Sequence, residues 1–342
     1  MICALDATYA VGGELSGVGI YSRELLSGLA AAHPEARFRF CYRPHRFWRS
    51  LGLPLPRNAS RRLLAEPIGP RRADIFHGMN QRLPHIPLRR SVATFHDLFV
   101  MTGEYSTPEF RARFTQQARE AAARADAIIA VSQFTKCQVV DLLGVDAAKV
   151  TVVHHGVTSP ARSAPAPEKI VLNVGAMQKR KNIARLVAAF EAAPADWRLV
   201  LAGSAGYGAA AILERIEGSS ARERISVLGY VPAAELAAWY ARAGICAFPS
   251  LDEGFGMPVL EAMAAGVPVL TSDRSALPEV AGDAAMLVDP EDDEALAAAL
   301  SRLARDEDLR RELARRGMAR AELFTWEKAV RETWDVYRKL LQ

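Results

Sequence analysis

Of the 342 residues, four are cysteines (Cys3, Cys41, Cys137 and Cys246), widely spaced and never in a C-x-x-C pair. That spacing excludes a disulfide scaffold and an ordinary zinc site, and the expectation is buried, reduced thiols. No apolar run approaches the roughly 20 residues needed to span a bilayer. The opening MICALDATYAVGG lacks a basic leader and a cleavage site, so it reads as a first strand rather than a signal peptide. No basic motif with a recognised docking mode for nucleic acid occurs. The glycine-rich VGGELSGVG after that strand is not an in-frame G-x-G-x-x-G, and no acid ends a strand about 20 residues later, which disfavours a dinucleotide fold.

Half the chain is apolar and a quarter charged, the balance of a globular protein, and its length suits two domains. Charge is uneven. Residues 1–165 hold 21 Lys+Arg against 13 Asp+Glu, and residues 166–342 hold 22 against 26. The excess concentrates in Arg43–Arg72, with eight arginines, one glutamate and interleaved Phe47, Trp48, Leu51 and Leu53. Two readings stand: a surface for an anionic partner such as lipid headgroups, or a solvated loop and helix whose apolar residues enter the core.

Apolar runs alternate with helical patterns in both halves. FRFCY, ADIFHG, SVATFHDL, ADAIIAVS and KVTVVHHG follow the first strand. After a proline-rich stretch at 158–169, read as a linker, come IVLNVGA, WRLVLAG, ISVLGY, GICAFPS, VPVLTS and AAMLVD. Such alternation predicts parallel sheets covered on both faces. The expected organisation is an α/β chain of two doubly wound, Rossmann-like domains, 1–160 and 167–324. A helical chain end follows, in which Asp306-Glu307-Asp308 reads as a helix N-terminus rather than a metal motif.

Ligands of open α/β sheets bind beyond the carboxyl ends of the strands, so the residues there are the candidates. His96 ends SVATFHD, and His77 follows ADIF. Arg180 and Lys181 lie between a strand and a helix start, where basic side chains oppose the helix dipole unless a ligand brings negative charge. In SLDEGFGMPVLE, Glu253 and Glu261 flank a glycine-broken turn with Pro258 suited to a helix's first turn. Such a loop aims backbone N–H groups at an anion, and two carboxylates beside it suit hydroxyl groups. A phosphorylated sugar fits.

With EGFGMPVLE, VGAMQKRKN, LGYVPAAEL, GVPVLTSDRSALPEVAGDAA and the terminal FTWEKAVRETWDVYRKLL, the chain resembles the retaining nucleotide-sugar glycosyltransferases of family 4, over nearly its whole length. The resemblance implies the GT-B fold, two facing Rossmann-like domains with a cleft between them, and a last helix from about 325 to 342 crossing back to the first domain. It implies that Arg180 and Lys181 grip the donor diphosphate, helped by amides near Gly17. Glu253, with the backbone of Phe255, Gly256 and Met257, would hold the transferred sugar, and Glu261 the ribose. Tyr230 and Val231 match where the base lies, Val259 falls within the same donor motif, and His96 matches a histidine near the sugar. The implied reaction moves a hexose, first mannose from GDP-mannose, to a glycan or lipid-linked acceptor by metal-free, front-face transfer, in the cytoplasm or at a membrane's inner face. The alternatives are a UDP-glucose- or UDP-GlcNAc-type donor, a nucleotide-sugar 2-epimerase, or a non-catalytic binder.

Overall fold

Thirteen strands form in a computed structural model that describes all residues except 67, 68, 71 and 159–166. The chain divides into two units, Met1–Gly156 with Thr325–Gln342, and Val157–Phe324. Most of the stretch read as a linker lies outside the described residues. At its far end, the Glu168 carboxylate already takes two bonds from Arg242 of the second unit, at 2.5 and 3.2 Å.

The first unit contains β1 (Ile2–Asp6), β2 (Arg37–Tyr42), β3 (Ala59–Leu63), β4 (Ile75–Gly78), β5 (Ser91–Phe95), β6 (Ala127–Ala130) and β7 (Val150–Val152). They pair in parallel in the order β3-β2-β1-β4-β5-β6-β7. The second unit contains β8 (Ile170–Val174), β9 (Arg198–Ala202), β10 (Ile225–Gly229), β11 (Ile245–Phe248), β12 (Val269–Ser272) and β13 (Ala285–Val288). Their order is β10-β9-β8-β11-β12-β13, again parallel. Every residue of β5 and of β8 is buried, as expected where crossovers cover both faces of a parallel sheet. Chain order reverses between β1 and β4 in one sheet and between β8 and β11 in the other. These are the switch points where the flanking exit loops diverge and leave a crevice.

Local chemistry sets the helix ends. Ser16, Thr107 and Ser132 cap helices Gly17–Ala32, Pro108–Arg124 and Gln133–Leu143 by accepting from backbone N–H groups three residues on. The chain end is not one helix but three, Asp293–Arg305, Glu307–Ala321 and Trp326–Leu341. Asp306 ends the first and caps the second, accepting from the Leu309 N–H at 2.9 Å, so the D-x-D triplet is a helix start. The last helix packs on Gly17–Ala32. A Cβ at Gly28 would lie 2.5 Å from Val330 Cγ2, and the His33 ring stacks on Trp334 at 3.6 Å.

Two sequence expectations need correction here. Cys3, Cys41 and Cys246 are buried, and burial pushes the Cys3 and Cys246 thiols up to about 12, but Cys137 is exposed on its helix. The Arg43–Arg72 segment, described except at 67, 68 and 71, holds a short helix, Pro44–Ser50, and the edge strand β3. Its apolar residues do not all enter the core: Trp48 is 76% exposed, and Leu51 and Leu53 are exposed beside it. The two-turn helix buries Ser50 instead, while Arg61 ties β3 back to it by donating to the Ser50 carbonyl at 2.9 Å.

Candidate active site

At the switch point of the second sheet, the exits of β8 and β11 lie side by side. The β8 exit makes a tight 3-10 turn, Lys179–Lys181, before helix Ile183–Glu191. Asn182 joins the two with a left-handed φ of 58°, a conformation asparagine tolerates, and its amide donates to the Pro290 carbonyl at 2.7 Å. The turn directs Arg180 and Lys181 toward the β11 exit. There Glu253 receives Arg180 on Oε2 at 2.9 Å and Lys181 on Oε1 at 2.5 Å. All three side chains are about nine-tenths buried.

The surroundings hold this triad in place. Ser250 donates to Glu253 Oε1 at 2.5 Å, and the Glu253 N–H donates to Ser275 Oγ at 3.1 Å. Arg180 also donates to the Asp252 carbonyl. The Leu251 N–H donates to the Arg180 carbonyl at 2.9 Å, locking one exit loop to the other. Lys181 Nζ sits 4.7 Å from the Phe248 ring centroid, a cation–π contact. Burial alone would raise the Glu253 carboxyl, but Arg180 and Lys181 overcome it and hold it at about 2.

Two cations thus converge on one carboxylate where the exits of β8 and β11 meet. The depressed Glu253 also makes folding of this unit pH-dependent. A carboxyl that titrates lower folded than unfolded adds stability above the unfolded value, 4.5, and that stability is lost as pH falls through about 2. Denaturant unfolding of the wild type is therefore expected to weaken over this window more steeply than that of Glu253→Gln. Equal slopes would show that the ion triad is not formed in solution.

The rest of the motif is close-packed. Gly256 has φ 97°, and a Cβ there would lie 2.5 Å from Leu277 Cδ2, so only glycine fits the start of helix Met257–Ala264. Phe255 is buried edge-on to Phe324, and Met257 is half-buried. Val259 is fully buried on the inner face of the helix. Glu261 stands a turn beyond Met257, half-buried, where Tyr240 donates to its Oε2 at 2.9 Å and burial pushes the carboxyl up. Tyr230 is exposed just past β10, and Val231 is half-buried.

In the first unit the candidates lie at the carboxyl edge of their own sheet. Gly17 is the exposed first residue of its helix. His96, one residue past β5, is buried and donates from Nε2 to the Met79 carbonyl at 2.9 Å, which fixes its tautomer. Its ring meets the Tyr21 ring edge-on at 4.7 Å and stacks on His155 at 5.3 Å. His77 is wholly buried and structural. Its Nδ1 lies 2.6 Å from the Tyr337 hydroxyl and its Nε2 2.7 Å from Thr94 Oγ1, which in turn meets the Tyr21 hydroxyl at 2.8 Å. Burial lowers His96 to about 4 and, with repulsion from His96, lowers His77 to about 3. Both are neutral at neutral pH.

The sequence reading missed Ser250, Ser275, Phe248 and Tyr240. Ser250 carried a signal, standing three residues before Glu253 at the strand exit, the spacing of a side-chain turn. Tyr240 carried none, because only sheet order brings its helix to Glu261. Among the described residues no three His, Cys, Asp or Glu side chains converge in a way that could hold a metal ion, and no helix is long and apolar enough to cross a membrane.

Family models match both units: "Glycosyltransferase Family 4" over residues 15–159 and "Glycosyl transferases group 1" over residues 158–320. The O-antigen chain mannosyltransferase B of Escherichia coli is 31% identical over 284 residues, covering 78% of this chain and 74% of that one. Among solved structures, a sucrose-phosphate synthase from Thermosynechococcus elongatus superposes with a TM-score of 0.80 at 24% identity, over 100% of this chain and 99% of its own. An Anabaena protein crystallised with UDP-glucose gives 0.76 at 17% identity, over 99% and 98% of the two chains. With the E-x7-E motif on the β11 exit and its first glutamate paired to the cations of the β8 exit, the chain belongs to the family 4 glycosyltransferases, whose fold is GT-B.

Proposed function

We propose that the protein is a retaining hexosyltransferase that takes mannose from GDP-mannose and places it on a glycan or lipid-linked acceptor, without a metal. The observation that carries this reading is the Arg180–Lys181–Glu253 triad at the switch point of the second sheet. Arg180 and Lys181 would grip the donor's diphosphate, the strong charge-assisted kind of contact. Glu253 would accept bonds from hydroxyls of the transferred sugar, with the backbone at Phe255–Met257 lining the same turn. Glu261, oriented by Tyr240, would take the ribose, and Tyr230 and Val231 would flank the base. From the first unit, amides near Gly17 would add to the diphosphate grip, and His96 would lie near the transferred sugar. The similarity to a mannosyltransferase supports the choice of sugar.

In the proposed step the bond from the anomeric carbon to the diphosphate breaks, and the acceptor oxygen bonds to that carbon from the same face. The acceptor's proton passes to the departing diphosphate oxygen. The chain's contribution is electrostatic: Arg180 and Lys181 stabilise the negative charge that grows on the leaving group. Neutral His96 can act as a hydrogen-bond partner without adding charge near the oxocarbenium-like sugar. Contact with an anionic bilayer through exposed Trp48, Leu51 and Leu53 among the arginines belongs to the same proposal.

A UDP-sugar donor is the second reading, favoured by the fold neighbour that holds UDP-glucose. Thermal-shift binding of GDP-mannose, UDP-glucose and UDP-GlcNAc, each with and without EDTA, tests both. Selective stabilisation by GDP-mannose that EDTA leaves unchanged is expected. Selective stabilisation by a UDP-sugar would replace the donor, and loss of the shift with EDTA would overturn the metal-free grip.

A further inference from the structure

The connection from β4 to β5, residues 79–90, crosses the first sheet without a helix. Helix Pro108–Arg124 crosses beside it in the same direction, from the carboxyl end of β5 to the amino end of β6. Among the described residues no helix fills that neighbouring crossover, and a groove of about 410 Å³ opens against Pro108–Arg124. Its lining is strongly cationic. Arg82, Arg113 and Arg124 line it with Glu120 and His85 among them, while Glu66 beside it accepts from the His85 N–H at 2.9 Å.

Glu120, the acid of the lining, is already engaged. Gln116 donates to Glu120 Oε1 at 2.6 Å, and His85 Nε2 lies 3.6 Å from Oε2. Arg124 is anchored by donating to the Pro84 carbonyl at 2.6 Å, which fixes the groove's far end. Arg113 lies over the Phe110 ring at 5.6 Å, a contact that leaves its guanidinium edge to other partners. Leu83 and Ala121 add small apolar surface between the charges, and Gln117 is held against the Gln81 carbonyl at 3.0 Å. Positions 113, 117, 120 and 124 share one helix face, so the cationic lining runs about 16 Å along the helix at 1.5 Å per residue.

Planar guanidinium groups spaced along a groove, with amides and modest apolar surface between, suit a saccharide that carries phosphate or carboxylate groups. We infer that this groove is a distal acceptor subsite: it seats the anionic, already built part of an extended saccharide whose reacting end lies toward the carboxyl edge of the sheet. Arg82 lies at the carboxyl-edge end, close enough to Asp6 at the end of β1 to act on its carboxyl, while Arg124 lies at the amino-edge end. The inference rests on the glycosyltransferase reading, since it assigns the groove to that reaction's acceptor.

The test uses the full chain and titrates a polygalacturonate-derived tetrasaccharide, a neutral maltotetraose and inorganic phosphate by calorimetry, with nucleotide-sugar binding measured in parallel. Preferential binding of the charged tetrasaccharide is expected, weakened at least 10-fold in Arg113→Glu and in Arg82→Glu, and less in Arg113→Lys. Arg46→Ser/Arg49→Ser should leave it unchanged, which separates the groove from the other basic surface. Donor binding should be intact in every variant. Wild-type affinity in both glutamate variants, equal binding of maltotetraose, or loss only in Arg46→Ser/Arg49→Ser would overturn the inference. Binding of phosphate as tight as that of the tetrasaccharide would reduce the groove to a plain anion site and overturn the saccharide assignment. Loss of donor binding in the wild type would instead sink the transferase reading and leave the groove's result to stand by itself.

Discussion

Replacing Arg180 and Lys181 together by alanine is expected to cut turnover by about 30- to 5,000-fold, the scale of losing buried, charge-assisted contacts worth about 2–5 kcal/mol. The variant carries a second cost that has to be separated from the first. Glu253 is about nine-tenths buried and owes its ionised state to these two side chains. Without them it is a stranded carboxylate, and breaking such a pair from one side typically costs about 3–5 kcal/mol of stability. Adding Glu253→Gln to the double variant removes the stranded charge. The triple variant should therefore recover much of the melting temperature and none of the turnover. Recovery of both would mean that the triad is structural and that the diphosphate is held elsewhere. Turnover near wild type in the double variant would remove Arg180 and Lys181 from the mechanism.

The second large effect is expected at Gly203, immediately after β9. A Cβ there would overlap the Gly175 carbonyl group and lie 2.9 Å from the Ala176 nitrogen, all backbone of the β8 exit. No rotamer relieves a clash with backbone, so Gly203→Ala must push the β8 exit away. Overpacking of this kind costs about 1–3 kcal/mol and sometimes more, roughly 2–4 °C of melting temperature per kcal/mol in a unit of this size. The displaced loop leads directly to Arg180 and Lys181, so donor affinity should fall with stability. Gly218→Ala is the control. The nearest atom to its added Cβ is the Glu214 carbonyl oxygen at 3.6 Å, and it should change neither quantity by much. Matching behaviour of the two variants would show that the close approach of β9 to β8 is not tight in solution.

Much of this protein was legible before any coordinates. The alternation of apolar runs with helical periodicity marked the parallel strands, because burial on both faces demands continuous apolar segments. Asp306 announced a helix start through chemistry that acts within three residues; the caps at Ser16 and Thr107 follow the same chemistry but were seen only in the structure. Arg180, Lys181 and Glu253 stood out because cations before a helix and an acid at a glycine-broken strand exit contradict their local surroundings. β3 escaped, since an edge strand reading ASRRL lacks the apolar pattern of the central strands.

The sequence by itself determined every strand but β3, the helix start at Asp306 and which residues were chemically out of place. The tertiary structure alone decided that Glu253 meets Lys181, 72 positions away in the chain, together with its neighbour Arg180, that Tyr240 orients Glu261, and that Cys137 is exposed while its three counterparts are buried. The physical reason is range. Propensity, capping and periodicity act over a few residues along the chain. Which exit loops become neighbours depends on sheet order, fixed only when β8 and β11 pair side by side at the switch point.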